Sequence, residues 1–262
     1  QTPEAAPKLS SRLQRRWRRW EVLMGQAREQ EINTFIAEAE QVFPGGLQAV
    51  VWGSLVRGDF LEGRSDANLL VVVPGVTLPK LAALGGALAR FTESSRVPPL
   101  LFDREEWARA ADVFPVEITD MRQAYRVVAG DDPLRGLRVE PTDLRRALER
   151  ELRGKVLRLQ HEYALATGDP RQLGRVAATS VGSFRVLLRV ALVLSGLAEP
   201  GDDEAMLAAA AARFGMPVEG LILLLAHRRD QTWSCRAAQF EGYLQAVTAV
   251  TRFVDHFQTG DR

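Results

Sequence analysis

Residues 52–70 read WGSLVRGDFLEGRSDANLL, and they join the end of one apolar segment to the start of another. The segment LQAVVW (47–52) precedes Gly53–Ser54, and the segment NLLVVV (68–73) stops at Pro74–Gly75. Continuous apolar runs of this length are typical of strands that are covered on both faces. The stretch therefore predicts a strand, a turn of small residues, a loop and a second buried strand.

The turn has the residue types of a phosphate-binding turn. Gly53 directly after a buried strand lets the backbone approach a ligand closely. Ser54 adds a hydroxyl, and a helix that begins there presents N–H groups that bind phosphate. Arg57 and Arg64 add positive charge in the same stretch. The alternative is a tight turn without a ligand, which is the commoner meaning of Gly-Ser after a strand.

Asp66 and Asn68 lie two positions apart at the start of the second strand. Side chains of a strand alternate between its faces, so these two point the same way. Oxygen-bearing side chains in such a pair hold a hard cation against phosphate oxygens. The alternative is a polar strand start in which Asp66 caps a turn.

Together, the strand, Gly-Ser, eleven further residues, Asp-x-Asn and the apolar strand resemble the signature of the polymerase-beta-type nucleotidyltransferase superfamily. Residues 50–73 match it except at position 68, where that family has a second carboxylate. The resemblance implies an α+β (α/β) nucleotidyltransferase domain with a small mixed sheet. It also implies a helical domain after it, as in the bacterial antibiotic nucleotidyltransferases.

The resemblance implies a role for each matching residue. Gly53 and Ser54 would hold the terminal phosphates of a nucleoside triphosphate such as ATP, with Arg57 nearby. Asp66 and the residue at 68 would hold Mg²⁺, which stabilises the attacking and leaving oxygens of a phosphoryl displacement. A third carboxylate from a later strand would complete the metal site and orient the acceptor hydroxyl.

The segment FPVEITDM (114–121), interpreted as a short strand, offers Glu117 and Asp120 for this third position. A regular strand places them on opposite faces because they differ by three positions. We assign Glu117, which lies between two β-branched residues, and keep Asp120 as the alternative if a bulge intervenes. The structural alternative for Glu117 is an ion pair with Arg122 or Arg126.

Position 68 leaves two functional hypotheses open, since asparagine offers a neutral oxygen where the family has a carboxylate. The first is an enzyme that transfers a nucleoside monophosphate from a triphosphate to a hydroxyl of a small molecule, protein or RNA. The second is a catalytically degenerate member of the same fold that acts as a nucleotide sensor or an interaction module.

The chain divides by pattern into two domains. Strands alternate with helices up to about residue 138, which predicts an α/β domain of residues 1–138 that includes an N-terminal helix. Residues 139–262 show only helical patterns separated by Gly and Pro, which predicts a C-terminal helical bundle.

Composition indicates a soluble cytoplasmic protein. The net charge is +1, so no strong overall field recruits nucleic acid. The single cysteine, Cys235, allows no internal disulfide and favours a reducing compartment. The preference for arginine over lysine suggests a bacterial source, and we expect no membrane span. An apolar helix face at 221–225 would suit a homo-oligomer interface.

Overall fold

Fourteen helices and strands make up the described part of the chain. The computed structural model describes residues 11–57, 67–166, 168–197, 202–228, 230 and 232–258, with side chains from residue 27 onward. In chain order the elements are α1 (Ser11–Val42), β1 (Gln48–Trp52), α2 (Ser54–Arg57), β2 (Asn68–Val73), α3 (Leu78–Ser95), β3 (Leu100–Asp103), α4 (Arg104–Trp107), α5 (Pro115–Gln123), β4 (Tyr125–Ala129), α6 (Pro141–Leu165), α7 (Pro170–Leu194), α8 (Asp203–Phe214), α9 (Glu219–His227) and α10 (Ala237–His256).

The four described strands form one mixed sheet in the order β3-β2-β1-β4. β1 runs antiparallel to both β2 and β4, whereas β2 and β3 run parallel. Every residue of β1 and β2 after the first is buried, as the continuous apolar runs predicted. The small mixed sheet is therefore confirmed.

The chain divides into two compact units. The first contains residues 1–105 and 125–133, and the second contains residues 106–124 and 134–262. The second unit thus includes a segment from inside the range that the sequence assigned to the first domain.

One face of the sheet packs on α1 and α3 in the core of the first unit. Alternate residues of β1 and β2 point to this face, among them Val51 and Val71. They meet Phe35 of α1 and Phe91 of α3, whose ring centroids lie 5.0 Å apart. This packing fixes the two strands whose ends form the candidate site.

The interpretation of residues 114–121 as a strand is wrong, because residues 115–121 belong to the helix α5 and Phe114 is its N-cap. Pro115 occupies the first helical turn, where its missing N–H costs no hydrogen bond. Val116 and Ile118 favour a strand locally, but both are buried, and α5 packs on α6 and α7. Tertiary packing therefore overrides the strand propensity of these β-branched residues.

The second unit is a helical bundle, as predicted, with α6, α7, α9 and α10 around a shared apolar core. Leu221, Leu224 and Leu225 are buried in this core, whereas Ile222 between them is 53% exposed. An interface at 221–225 stays a prediction. Among the described helices, α7 is long and apolar enough to span a membrane. Half of its most apolar stretch, however, is buried inside the protein. It is a core helix of the bundle.

Candidate functional site

The end of the sheet where β1 finishes and β2 begins is called here the Gly53 end. Trp52, the last residue of β1, lies opposite Asn68 in β2 and opposite Tyr125 in β4. The chain then turns at Gly53, and a Cβ on this glycine would lie 2.9 Å from Nδ2 of Asn68. The fold thus brings Gly53 and Asn68 together although fourteen residues separate them in the sequence.

Gly53 immediately precedes the short helix α2. Its carbonyl accepts hydrogen bonds from the backbone N–H groups of Val56 and Arg57, both at 3.0 Å. Ser54 is the first helical residue. Nη2 of Arg57 lies 3.6 Å from the position of a Gly53 Cβ, so this side chain reaches back over the turn. Arg57 and Asn68 therefore bring nitrogen atoms to the same side of the glycine.

Glycine is required at position 53 for two reasons, and Gly53→Ala is expected to lower the free energy of unfolding by about 1–3 kcal/mol. Its φ of 82° is strained for any residue with a Cβ, and the added Cβ would press on the amide of Asn68. Urea unfolding measures the change. Gly85→Ala is the matched control, since Gly85 is an exposed residue of α3 and no described residue outside its own helical surroundings comes within 4 Å of an added Cβ. The free energy of unfolding of Gly85→Ala should rise by about 0.5–1 kcal/mol. If both variants lose the same amount of stability, glycine is not specifically required at position 53.

Arg64 and Asp66 lie outside the described residues. The pairing of Asp66 with Asn68 therefore stays a prediction. Ala67, just before Asn68, donates its N–H to the carbonyl of Ser95 at 3.3 Å. Within the described ranges, no three His, Cys, Asp or Glu side chains cluster closely enough to hold a metal ion.

The later strands of the sheet, β3 and β4, carry a single acidic residue, Asp103. It lies opposite Val73, at the other end of β2 and about 16 Å along that strand from Asn68. Its carboxylate accepts hydrogen bonds from the N–H groups of Gly75 and Val76 at 2.8 and 3.1 Å. Asp103 thus closes a loop at that end, and the described strands bring no carboxylate to the Gly53 end.

Glu117 and Asp120 lie on α5 in the second unit rather than on a strand. Since they are three positions apart on a helix, they face the same side, which corrects the expectation of opposite faces. Partial burial raises the pKa of the Glu117 carboxyl, and the nearby Glu151 raises it further, while Arg150 opposes the shift. Glu117 therefore holds a proton more readily than an ordinary glutamate.

The arginines proposed as ion-pair partners of Glu117 have other partners. Arg122 donates to the backbone carbonyls of Leu134 and Leu137. Arg126 forms an ion pair with Glu29 of α1 at 2.8 Å.

Asp120 forms a buried ion pair with Arg189 of α7. Nη2 of Arg189 lies 3.2 Å from Oδ1 of Asp120, and Nε lies 3.4 Å from the same oxygen. The two side chains are only 6% and 8% exposed. Asp120 thus has a structural partner within the helical bundle.

No protein-family model and no curated protein matches the chain. Among solved structures, a match with a TM-score of 0.53 is the crystal structure of spectinomycin adenyltransferase AAD(9) from Enterococcus faecialis, solved with ATP and spectinomycin. It covers 86% of this chain and 98% of that chain, at 14% sequence identity. The chain has the nucleotidyltransferase fold. At this identity the likeness shows the nucleotidyltransferase fold and its following helical region, while the roles of single residues stay predictions.

Proposed function

We propose that the chain is a nucleotide-binding protein of the nucleotidyltransferase fold whose site has lost most of its capacity for transfer. A nucleoside triphosphate would lie at the Gly53 end, with its terminal phosphates on Gly53 and Ser54 and with Arg57 and Arg64 nearby. The observation that carries the proposal is the chemistry of this end of the sheet. Its described residues offer an amide at position 68 and no carboxylate from β3 or β4.

The residue set fits one Mg²⁺ better than two. Asp66 would supply a carboxylate, Asn68 a neutral oxygen and the triphosphate its own charged oxygens, which are the hard ligands that Mg²⁺ prefers. Such an ion would neutralise phosphate charge. The ion that activates an acceptor hydroxyl needs further carboxylates. We therefore propose binding with little or no transfer.

The second candidate is an active enzyme that transfers a nucleoside monophosphate to an acceptor hydroxyl. The favouring observation is that a solved adenyltransferase with ATP and spectinomycin matches 86% of this chain, across both units. In this reading Asp66 and Glu117 would be the catalytic residues. The raised pKa of the Glu117 carboxyl suits a group that accepts the proton of the acceptor. The acceptor would be a small molecule, a protein or an RNA.

Calorimetric titration with ATP, GTP, CTP and UTP, each with magnesium and with EDTA, tests the proposal. We expect binding of at least one triphosphate that is stronger with magnesium and falls at least tenfold, about 1.4 kcal/mol, in Asp66→Ala. Asp59→Ala is the matched control, because it removes an acid seven positions earlier in the sequence and should bind as the wild type does. If no triphosphate binds, the nucleotide proposal fails. If a labelled triphosphate is consumed at enzymatic rates, the second candidate replaces the first.

We also propose a cytoplasmic location. Cys235 is buried, and burial raises the pKa of its thiol to about 11, so it stays an unreactive thiol at neutral pH. Light scattering of the purified protein tests for the homo-oligomer that the sequence suggested.

A further inference from the structure

Lys155 is a buried lysine on the inner face of α6. It is 4% exposed and lies in line with the buried Leu152 and Leu159. A buried ammonium needs hydrogen-bond partners, and α7 supplies them. Nζ of Lys155 lies 3.1 Å from the carbonyl of Ser180 and 2.7 Å from Oγ of Ser183.

Ser183 connects this buried nitrogen to solvent. The residue is exposed, and its Oγ donates to the carbonyl of Ser180 at 3.0 Å while it accepts from Lys155. The neighbouring Gly182 is also exposed, and no heavy atom of the described residues lies within 4 Å of the position of a Cβ on it, so this part of the α7 surface is open. A reagent in solution can therefore reach an oxygen that touches a buried amine.

Few charged groups act on Lys155. Burial lowers its pKa to about 8, Arg158 lowers it further, and Glu151 opposes the shift. Both charged neighbours lie on α6. From α7 the partners are the uncharged serines, and α10 contributes Tyr243, whose hydroxyl lies 3.0 Å from Oγ of Ser180. Burial raises the pKa of Tyr243, so it stays a neutral phenol. Lys155 is thus partly a neutral amine at mildly alkaline pH.

We propose that Ser183 is a nucleophilic serine with Lys155 as its base, and that this pair reacts with activated acyl or phosphoryl compounds. The neutral amine keeps one N–H on the carbonyl of Ser180 and turns its lone pair to Ser183. The hydroxyl proton moves from Oγ to Nζ as Oγ bonds to the acyl carbon or the phosphorus. The bond to the leaving group breaks with its electron pair, and the leaving group takes the proton from Lys155 or from water.

Labelling of the full chain with a fluorophosphonate probe tests the proposal. The Oγ–P bond forms, the P–F bond breaks, fluoride leaves and the proton passes to Lys155. We expect one label per chain, found on Ser183 by peptide mass spectrometry, at a rate that rises with pH through about 8. Ser183→Ala should abolish labelling. Ser180→Ala is the matched control one turn away, and it should be labelled like the wild type because its hydroxyl bonds Tyr243 instead.

The variant Lys155→Met tests whether Lys155 acts as a general base or only as a hydrogen-bond partner of Ser183. Loss of a general base slows such a step by about 100-fold or more, and the rise in rate near pH 8 should disappear. The melting curve checks that the variant is folded. If Lys155→Met is unfolded, the pH profile of wild-type labelling, together with the variants Ser183→Ala and Ser180→Ala, still tests the proposal. The proposal is overturned if the label falls elsewhere, if Ser180→Ala loses as much labelling as Ser183→Ala, or if folded Lys155→Met reacts at the wild-type rate.

Discussion

Asp120→Ala is expected to lower the free energy of unfolding by about 3–5 kcal/mol, the cost of breaking a buried ion pair from one side. The substitution removes the carboxylate from beside Arg189, whose side chain is 6% exposed, while the guanidinium stays in the bundle. Urea unfolding followed by circular dichroism measures the change as a shift in midpoint at unchanged slope.

Glu117→Ala is the matched control for Asp120→Ala, since it removes a carboxylate from the same helix one turn earlier. The surrounding protein desolvates the Glu117 carboxyl enough to raise its pKa, but the residue still has an exposed surface. We therefore expect a change in the free energy of unfolding within about 0.5 kcal/mol. The two variants also distinguish the two candidates for the third carboxylate. If Asp120→Ala leaves stability unchanged but abolishes a nucleotide transfer activity, Asp120 acts in the site and its structural assignment is wrong.

Strands β1 and β2 and helix α3 could be predicted from the sequence because their local signals and their tertiary environments agree. After Asn68 the run from residue 69 to 73 is continuously apolar, and the structure buries every residue of it. Helix α3 begins at Leu78–Pro79, where proline fits the first turn, and it ends beside Arg96 in the left-handed conformation. Gly53 and Asn68 are adjacent in space for the same reason, since they lie at the ends of these two strands.

Helix α5 could not be predicted from local propensity. Its first half, Val116 to Thr119, is rich in β-branched residues, and packing on α6 and α7 selects a helix. Pro115 was the signal that could have revealed it, as a residue suited to the first turn of a helix. The error mattered for function, because it turned a helix of the second unit into a supposed strand of the sheet.

The pair of Lys155 and Ser183 was not predicted because neither residue belongs to a recognisable motif. Position 155 holds one of the three lysines of the chain, within the buried series that includes Leu148, Leu152 and Leu159. A lysine at a core position of a helix is a signal that sequence alone provides. Its partner Ser183 on α7 cannot be recognised from the sequence, because the contact depends on how the two helices cross.

Asn68→Asp is expected to tighten binding of a magnesium–triphosphate complex at least tenfold, or about 1.4 kcal/mol. A carboxylate replaces a neutral oxygen beside the ion, and added ligand charge raises the affinity for a hard cation. In EDTA the same substitution should weaken binding of the triphosphate. Without the ion, the new carboxylate repels the phosphates, and the Nδ2 donor that lies beside Gly53 is lost. Calorimetry under both conditions measures the two effects in the same protein.

Asn68→Ala serves as the control for this substitution, because it removes the amide without adding charge and should weaken binding under both conditions. The opposite signs expected of Asn68→Asp distinguish charge at the metal from any general change in the turn. If the aspartate variant also transfers a labelled nucleoside monophosphate while the wild type does not, asparagine at this position is what disables the site. If it binds no better with magnesium and no worse with EDTA, position 68 does not face the ion or the phosphates. The carboxylates would then have to come from elsewhere in the chain.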